Sequence, residues 1–489
     1  MFADATSLVL LVASVLLFAG VLASKLSSRF GIPLLLGFIL VGMLAGTDGI
    51  GRIYFDDAEL TQFIGVIALS FVLFSGGMET RMKDIKPVWK EGVVLATLGV
   101  AITAAAVGIF IHYIYPPFSV THGLLLGAVV SSTDAAATFS LFRTRSSTLK
   151  NNLRPILELE SGSNDPMAYF LTISCLSVVM NPDLSFWSLI PNFFRDMAIG
   201  VAVGYGMAKA MVFVVRRINI DVDGLYSVLM IAMMMFTYAI CQELGGNGFM
   251  AVYLAGIVVG NSRFSRRQGV IKFYSSVTWL MQIVMFLLLG LLCYPTRIAP
   301  IAGVGLLVAA FLIFVARPVA VFVSTVFFRN LTVKDKLMLS WGGLRGASPI
   351  LFATYPIVVG APNADTIFNI VFFISCMSVL LQGTSLMWVA EKLELMIPTT
   401  TVIRGMAIEL SESQNPIATE VGIRPGSFCV GQTLSSLDVP VNLLVMLIER
   451  DGESFIPNGN TAIMSGDKLY IISDQMEKTD SFVDYLTSN

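Results

Sequence analysis

Apolar runs of about 20 residues recur from the start of the chain to about residue 395, separated by short polar or charged loops. Each run is long enough to cross a roughly 30 Å hydrocarbon core as a helix. Reading the runs and the loops between them predicts thirteen spans, near residues 5–25, 30–46, 60–79, 89–114, 121–142, 155–180, 193–215, 224–243, 246–260, 272–293, 299–328, 336–360 and 366–390. The expected architecture is an all-α polytopic membrane domain. The first run, Ser7 to Ala23, follows Asp4 and has no basic residue before it, so it is expected to remain as a span rather than leave as a signal peptide.

The pattern changes near Pro398. Residues 1–398 hold 26 basic and 21 acidic side chains, whereas 399–489 hold 5 and 12. Strand-like stretches at Asn442 to Ile448 and Lys468 to Ile472, with hairpin-type turn signals at Asp451-Gly452 and Asn458-Gly459, predict a small α/β or β-rich domain. The expected division is therefore a membrane domain at 1–398 and an acidic, soluble domain at 399–489, joined through Pro398-Thr399-Thr400-Thr401.

Composition narrows the functional classes. Charged residues make up 13% of the 489 positions and hydrophobic ones 55%, against roughly 25% charged in soluble proteins. A formal net charge of −2 offers no cationic surface for nucleic acid. Cys175, Cys241, Cys293, Cys376 and Cys429 share no short spacing, and His112 and His122 are the only histidines, which excludes a disulfide framework and a Cys/His metal site. No cofactor or resident metal is expected. With the N-terminus outside, the cytoplasmic loops hold 19 basic residues and the opposite loops only Arg52 and Arg297, an asymmetry that sets the orientation and leaves the C-terminus in the cytoplasm.

Ionisable groups inside the spans stand out, because each costs roughly 2.5–3.5 kcal/mol to place at a helix centre in the membrane. Asp165 lies ten residues into the sixth span from Pro155, about 15 Å along a helix and close to the midplane. Asp134 is 13 residues from Thr121 and 8 from Phe142 in the fifth span. Arg345 follows Lys336 by nine residues, and Arg317 precedes Arg329 by twelve. Around Asp165, Ser161-Gly162-Ser163-Asn164-Asp165-Pro166 gathers oxygen donors, a glycine and a helix-distorting proline. Ser161 and Asp165 are four apart and share a helix face, a donor set suited to a dehydrated monovalent cation. Ser131-Ser132-Thr133-Asp134, in a stretch of small residues, reads as a place where a broken helix turns free carbonyls towards an ion, and glycine-rich Trp341-Gly342-Gly343-Leu344-Arg345-Gly346 lies where an inverted repeat would place the partner of span five. For Glu160 and Arg317 the alternative is structural, a buried pair that pins two helices.

Thr133-Asp134, Glu160 to Pro166, Ala316-Arg317-Pro318, Gly342-Gly343-Leu344-Arg345-Gly346-Ala347 and Leu381-Gln382-Gly383, in this order and on these spans, resemble cation:proton antiporter family 1. These are the NhaP-type sodium or potassium/proton antiporters related to animal sodium/proton exchangers. The resemblance covers nearly all of residues 1–395 and implies thirteen spans, an inverted repeat, a homodimer, and crossed, partly unwound spans five and twelve. It places the family's Asn-Asp pair on Asn164 and Asp165, with Asp165 binding a cation or a proton in turn. Asp134, the Thr133 carbonyl and Ser161 would supply further oxygens. Glu160 would pair with Arg317, with Arg345 as the other candidate partner, and Arg345 would balance charge at the crossover. Ala135 follows Asp134 where many relatives carry proline.

Glu79 and Glu158 are candidates to line a cytoplasmic funnel, or else interfacial ion pairs. His112 and His122 read as interfacial residues, and the 24 methionines as fillers of gaps between helices.

Gly431-Gln432-Thr433-Leu434, Arg450-Asp451-Gly452, Ile456-Pro457 and Ser465-Gly466-Asp467-Lys468-Leu469 resemble the TrkA-C, or RCK-C, regulatory domain of potassium-transport proteins. Such domains dimerise and often bind a small-molecule ligand, which tilts the expected substrate towards potassium. The expected function is electroneutral exchange of potassium, with sodium as a second cation, for protons across a prokaryotic inner membrane. A sodium-selective antiporter is the nearest alternative. A cation channel gated by the cytoplasmic domain would need a carbonyl-rich filter such as Thr-Val-Gly-Tyr-Gly, which the chain lacks. A membrane sensor without transport would not need the Asp134, Asn164 and Asp165 set.

Overall fold

A computed structural model describes residues 2–30, 33–134, 147–218, 220, 222–262, 264, 266–398, 417–423, 427–437, 439–440, 443–450, 453–473, 482–483 and 485–486. Two compact units are present: the second holds the described residues from Ile397 onward together with Ser147 and Thr148, and the first holds the rest.

The first unit is helical. Its helices are α1 (Phe2–Phe30), α2 (Leu34–Ala45), α3 (Ala58–Glu79), α4 (Trp89–Ile114), α5 (Val120–Val130), α6 (Leu153–Met180) and α7 (Leu189–Arg217). They continue as α8 (Asp223–Glu243), α9 (Gly248–Gly260), α10 (Arg267–Leu291), α11 (Pro295–Ser324), α12 (Val333–Trp341), α13 (Ala347–Val358) and α14 (Ala364–Lys392). Among the described residues, seven helices are long and apolar enough to cross a membrane: α3, α4, α7, α8, α10, α11 and α14. Shorter apolar helices occur at Ser7–Ala23 within α1 and at α2, α5, α9 and α13. Helix α6, which carries Arg154, Glu158, Glu160 and Asp165, is not among them. It is nonetheless lined on its inner side by buried residues from Leu153 to Val178.

Local chemistry sets the helix ends. Asp57 caps α3 by accepting from Leu60 N–H at 2.8 Å, and Asn247 caps α9 by accepting from Met250 N–H at 3.0 Å. Thr332 and Asp335 form a reciprocal capping box at the start of α12. Small residues let backbones approach. A Cβ at Gly127 of α5 would strike the Ala104 carbonyl of α4, and one at Gly77 of α3 would meet the Tyr253 carbonyl of α9 at 2.7 Å. Among the described residues, π-helical turns occur at Leu95–Gly99 in α4, Leu312–Ala316 in α11 and Val379–Gly383 in α14.

Two expected spans are interrupted. Helix α5 stops at Val130, and the span expected at 336–360 is divided into α12 and α13 by a non-helical stretch at Gly343 to Gly346. Residues 135–142 of the expected fifth span lie outside the described residues.

The second unit contains a four-stranded antiparallel sheet. Its strands are β1 (Ile417–Gly422), β2 (Leu443–Arg450), β3 (Glu453–Phe455) and β4 (Lys468–Ser473), in the order β1-β4-β2-β3. Leu469 and Ile471, two apart on β4, face a core with Val421, Ile448, Cys429, Ile463, Phe482 and Leu486. Strand β1 is absent from the sequence expectation: it contains Glu420 and little apolar alternation, and it pairs with β4, some 50 residues further on. The turn at Asn458 is present, with Thr461 N–H donating to Asn458 O at 2.9 Å, but it does not join hydrogen-bonded neighbours in the sheet. The hairpin partners are β2 and β3, where Arg450 faces Glu453; the Asp451-Gly452 turn signal lies outside the described residues.

Asp467 is fully buried in this unit and accepts from Arg450 Nε at 2.8 Å, Arg450 Nη2 at 2.7 Å and Met464 N–H at 2.8 Å. Burial alone would raise its pKa, but the arginine and the backbone donor outweigh burial and hold the carboxyl below the ordinary aspartate value. Stability from this group is therefore full above the unfolded aspartate pKa of about 3.9 and is lost as the pH falls through the lower folded value. Asp467→Asn should cost the domain roughly 1.5–3 kcal/mol at neutral pH. Hydrogen exchange on the full-length chain should show β2 and β4 amides exchanging faster in the variant at pH 7, with the gap closing in acid. Equal protection at pH 7 would refute this role.

Candidate functional site

The two interruptions meet. Serine and threonine hydroxyls compete with helical hydrogen bonding at the end of α5, where Ser131 Oγ donates to the Ala128 carbonyl at 2.6 Å. The glycines after Trp341 remove helix propensity at the end of α12. The resulting segments touch through one backbone bond, Asp134 N–H to the Leu344 carbonyl at 2.8 Å. A side chain at Gly346 would collide with the Asp134 carboxylate, and one at Gly343 would come within 2.7 Å of Arg317 Nε, so both positions need glycine for close approach.

Helix ends inside a membrane expose carbonyls that lipid cannot satisfy. Arg345 fills this need for α5: its Nη1 donates to the Ser131 carbonyl at 2.5 Å and the Ser132 carbonyl at 2.6 Å. A guanidinium at a helix C-terminus also meets the negative end of the helix dipole. Gln382, on the π-helical turn of α14, does the same for α12. Its Nε2 donates to the Trp341 carbonyl at 3.0 Å, while its Oε1 accepts from Ser378 Oγ at 2.6 Å. Ser378 Oγ in turn accepts from Arg345 N–H at 3.0 Å.

Helix α6 crosses beside this junction and remains helical through Pro166. Ser161 Oγ donates to the Thr133 carbonyl at 2.5 Å, and Asn164 Nδ2 donates to Thr133 Oγ1 at 2.5 Å. Asp165 is buried and accepts from Ser132 Oγ, and from Ser348 Oγ at 3.2 Å. The half-buried Asp134 lies close enough to Asp165 for their charges to interact. Asp165, Asp134, Asn164, Ser161 and Thr133 are thus brought to one place.

Glu160 and Arg317 meet at 2.5 Å between Oε1 and Nη1, both buried, and Arg317 Nη2 also donates to the Leu339 carbonyl at 3.2 Å. Arg345 is engaged at the α5 terminus, so between the two candidate arginines it is Arg317 that pairs with Glu160. Glu79 is exposed at the end of α3, and Glu158 pairs with Arg154 at 2.8 Å one turn earlier on α6. The sequence reading did not single out Ser132, Ser348, Ser378 or Gln382 as site residues. Ser348 carried a usable signal, a hydroxyl two residues after the last glycine of a helix break.

Residues 12–392 match the family described as sodium/hydrogen exchanger, transmembrane. The chain belongs to this family. Residues 418–479 match the TrkA-C domain. The exchanger chain is 36% identical over 468 residues to a K(+)/H(+) antiporter NhaP2 of Shewanella baltica (strain OS223), covering 95% of this chain and 81% of that one. It is also 36% identical over 479 residues to the K(+)/H(+) antiporter NhaP of Alkalimonas amylolytica, covering 98% and 83%. In fold it is similar to the sodium proton antiporter MjNhaP1 of Methanocaldococcus jannaschii at pH 8, with a TM-score of 0.68, 23% identity, and coverage of 79% of this chain and 99% of that one. Membership in the exchanger family makes the chain a multi-pass membrane protein with an NhaP-like helical fold.

Breaking the Glu160–Arg317 pair from either side leaves one buried charge uncompensated. Glu160→Gln and Arg317→Ala should each lower stability by roughly 3–5 kcal/mol. Thermal unfolding of the purified exchanger in detergent should show both variants melting well below the parent; unchanged melting would remove the structural role.

Proposed function

We propose that the chain exchanges potassium, with sodium as a second cation, for protons by alternating access, one ion for one proton. The observation that carries this reading is the buried Asp165 carboxylate, held beside Asp134 at the crossing of two broken helices. Asp165 binds either a proton or a dehydrated cation. Asp134, Ser161 and the Thr133 carbonyl contribute oxygens to the cation, and Asn164 orients Thr133. The names of the relatives from Shewanella and Alkalimonas support potassium as the substrate. Charge balance supports the stoichiometry. Among the described groups at the crossing, the acids Asp134, Glu160 and Asp165 outnumber the arginines Arg317 and Arg345 by one, so with these five ionised one negative charge is left over. A single proton or a single monovalent cation neutralises it equally well.

In this reading residues 1–398 form the transporting domain and 399–489 a regulatory domain that binds a small-molecule ligand and biases the transport equilibrium. The protein works as a homodimer with thirteen spans in a prokaryotic inner membrane, its N-terminus outside and its C-terminus in the cytoplasm, as the distribution of basic residues favours. It is a transporter rather than an enzyme, and it serves cation and pH homeostasis.

Asp165→Asn should abolish exchange in liposomes carrying a pH dye and an imposed potassium or sodium gradient, while the protein stays folded. Asp134→Asn should be severely impaired. Exchange at the parent rate in Asp165→Asn would sink the assignment.

One-for-one exchange has a second consequence. The potassium gradient that balances a fixed pH gradient should be the same at every clamped membrane potential. A balance point that moves with voltage would show a second proton in the cycle, with Asp134 as its carrier.

A further inference from the structure

Helix α7 presents an outward face that changes character along its length. Phe194, Val201 and Tyr205 are 65%, 46% and 52% exposed, and their spacing of seven and then four residues sets them along one side of the helix. Continuing by fours, that face carries Lys209 and Phe213 and then ends at Arg216 and Arg217, all of them exposed. An apolar strip therefore runs into a basic end over about 12 Å of helix from Lys209 to Arg217.

At that end lies a cleft of about 380 Å³, lined by Lys209, Val212, Phe213, Arg216, Arg217 and Ser262. No acidic side chain is among its described lining residues. Two of the cations are held by aromatic rings of the same helix. Lys209 Nζ sits 5.3 Å from the Tyr205 ring centre, and the Arg217 guanidinium 5.4 Å from that of Phe213. Ser262 Oγ donates to the Val258 carbonyl at 2.7 Å, which leaves its oxygen able to accept but fixes its proton.

We propose that this cleft binds the phosphate headgroup of an anionic phospholipid, with the acyl chains lying along Tyr205, Val201 and Phe194. A basic pocket at a span end, next to an apolar strip, has the charge and the two-part surface that such a lipid presents. A free phosphate shares the headgroup's charge, but only a lipid would also run its chains along the strip that α7 turns to the hydrocarbon. The proposal rests on the chain being a membrane protein and not on the ion-exchange assignment.

The test is native mass spectrometry of the detergent-purified full chain, titrated with phosphatidylglycerol, with phosphatidylcholine and with inorganic phosphate. The parent should retain phosphatidylglycerol in preference to phosphatidylcholine. The triple variant Lys209→Gln/Arg216→Gln/Arg217→Gln should lose that retention by about tenfold or more, as removal of three basic groups from an anionic surface implies. Ser262→Glu, which keeps all three cations but places an acid in the cleft, should lose it too. Lys83→Gln/Lys86→Gln/Lys90→Gln, on exposed basic residues elsewhere, should retain the lipid like the parent. Parent-like retention in the triple variant would overturn the proposal. So would an equal loss in the control variant, or inorganic phosphate displacing phosphatidylglycerol at equal concentration, which would make the cleft a free-anion site. Because none of these readouts measures transport, a failure here and a failure of the antiport reading are separable.

Discussion

A helix broken inside a membrane leaves carbonyl and amide groups that only protein can satisfy, and the centre of this molecule is organised around that requirement. Arg345 holds the Ser131 and Ser132 carbonyls of α5, and Gln382 holds the Trp341 carbonyl of α12. Ser378 links the two by accepting from the Arg345 amide and donating to the Gln382 side chain. Without these partners the non-helical segments would carry a desolvation cost of several kcal/mol per group and would have reason to refold as continuous helix. The break is what allows Asp134 N–H to bond Leu344 and so fixes the two segments against each other.

Charge placement follows from that arrangement. Arg345 is committed to the terminus of α5, which makes the separate pairing of Glu160 with Arg317 necessary for a buried carboxylate on α6. Asp165, five residues beyond Glu160, has no guanidinium partner among the described residues and is held by the hydroxyls of Ser132 and Ser348. Hydroxyls differ from a guanidinium in that they can donate to a carboxylate or turn a lone pair to a cation. A carboxylate partnered this way can exchange a proton for an ion without breaking a salt bridge, whereas one paired like Glu160 cannot.

Much of the architecture was legible in the chain because lipid imposes simple rules. Apolar runs of sufficient length announce membrane helices, and the change of charge balance near Pro398 announces a different solvent. The buried acids and arginines were legible for the same reason, since charge is too costly in lipid to be incidental. In the tail, Lys468 to Ile472 showed as a strand because it is apolar and β-branched, but β1 did not, because its strand character comes from pairing with β4 far along the sequence.

What the sequence determined by itself was therefore composition: which segments are apolar and helical, and which ionisable groups lie within them. What only the tertiary structure decided was partnership. Glu160 had two arginines at comparable depth, and the crossing sent Arg345 to backbone carbonyls and Arg317 to the carboxylate. Ser348 and Gln382 are polar residues among many, and they acquire their roles only because α13 and α14 bring them to Asp165 and Trp341. A linear pattern reports the cost of burying each group, which is a property of that group alone. The group that offsets the cost depends on helices more than 150 residues apart in the chain, as for Ser348 and Asp165, and is fixed only when they pack.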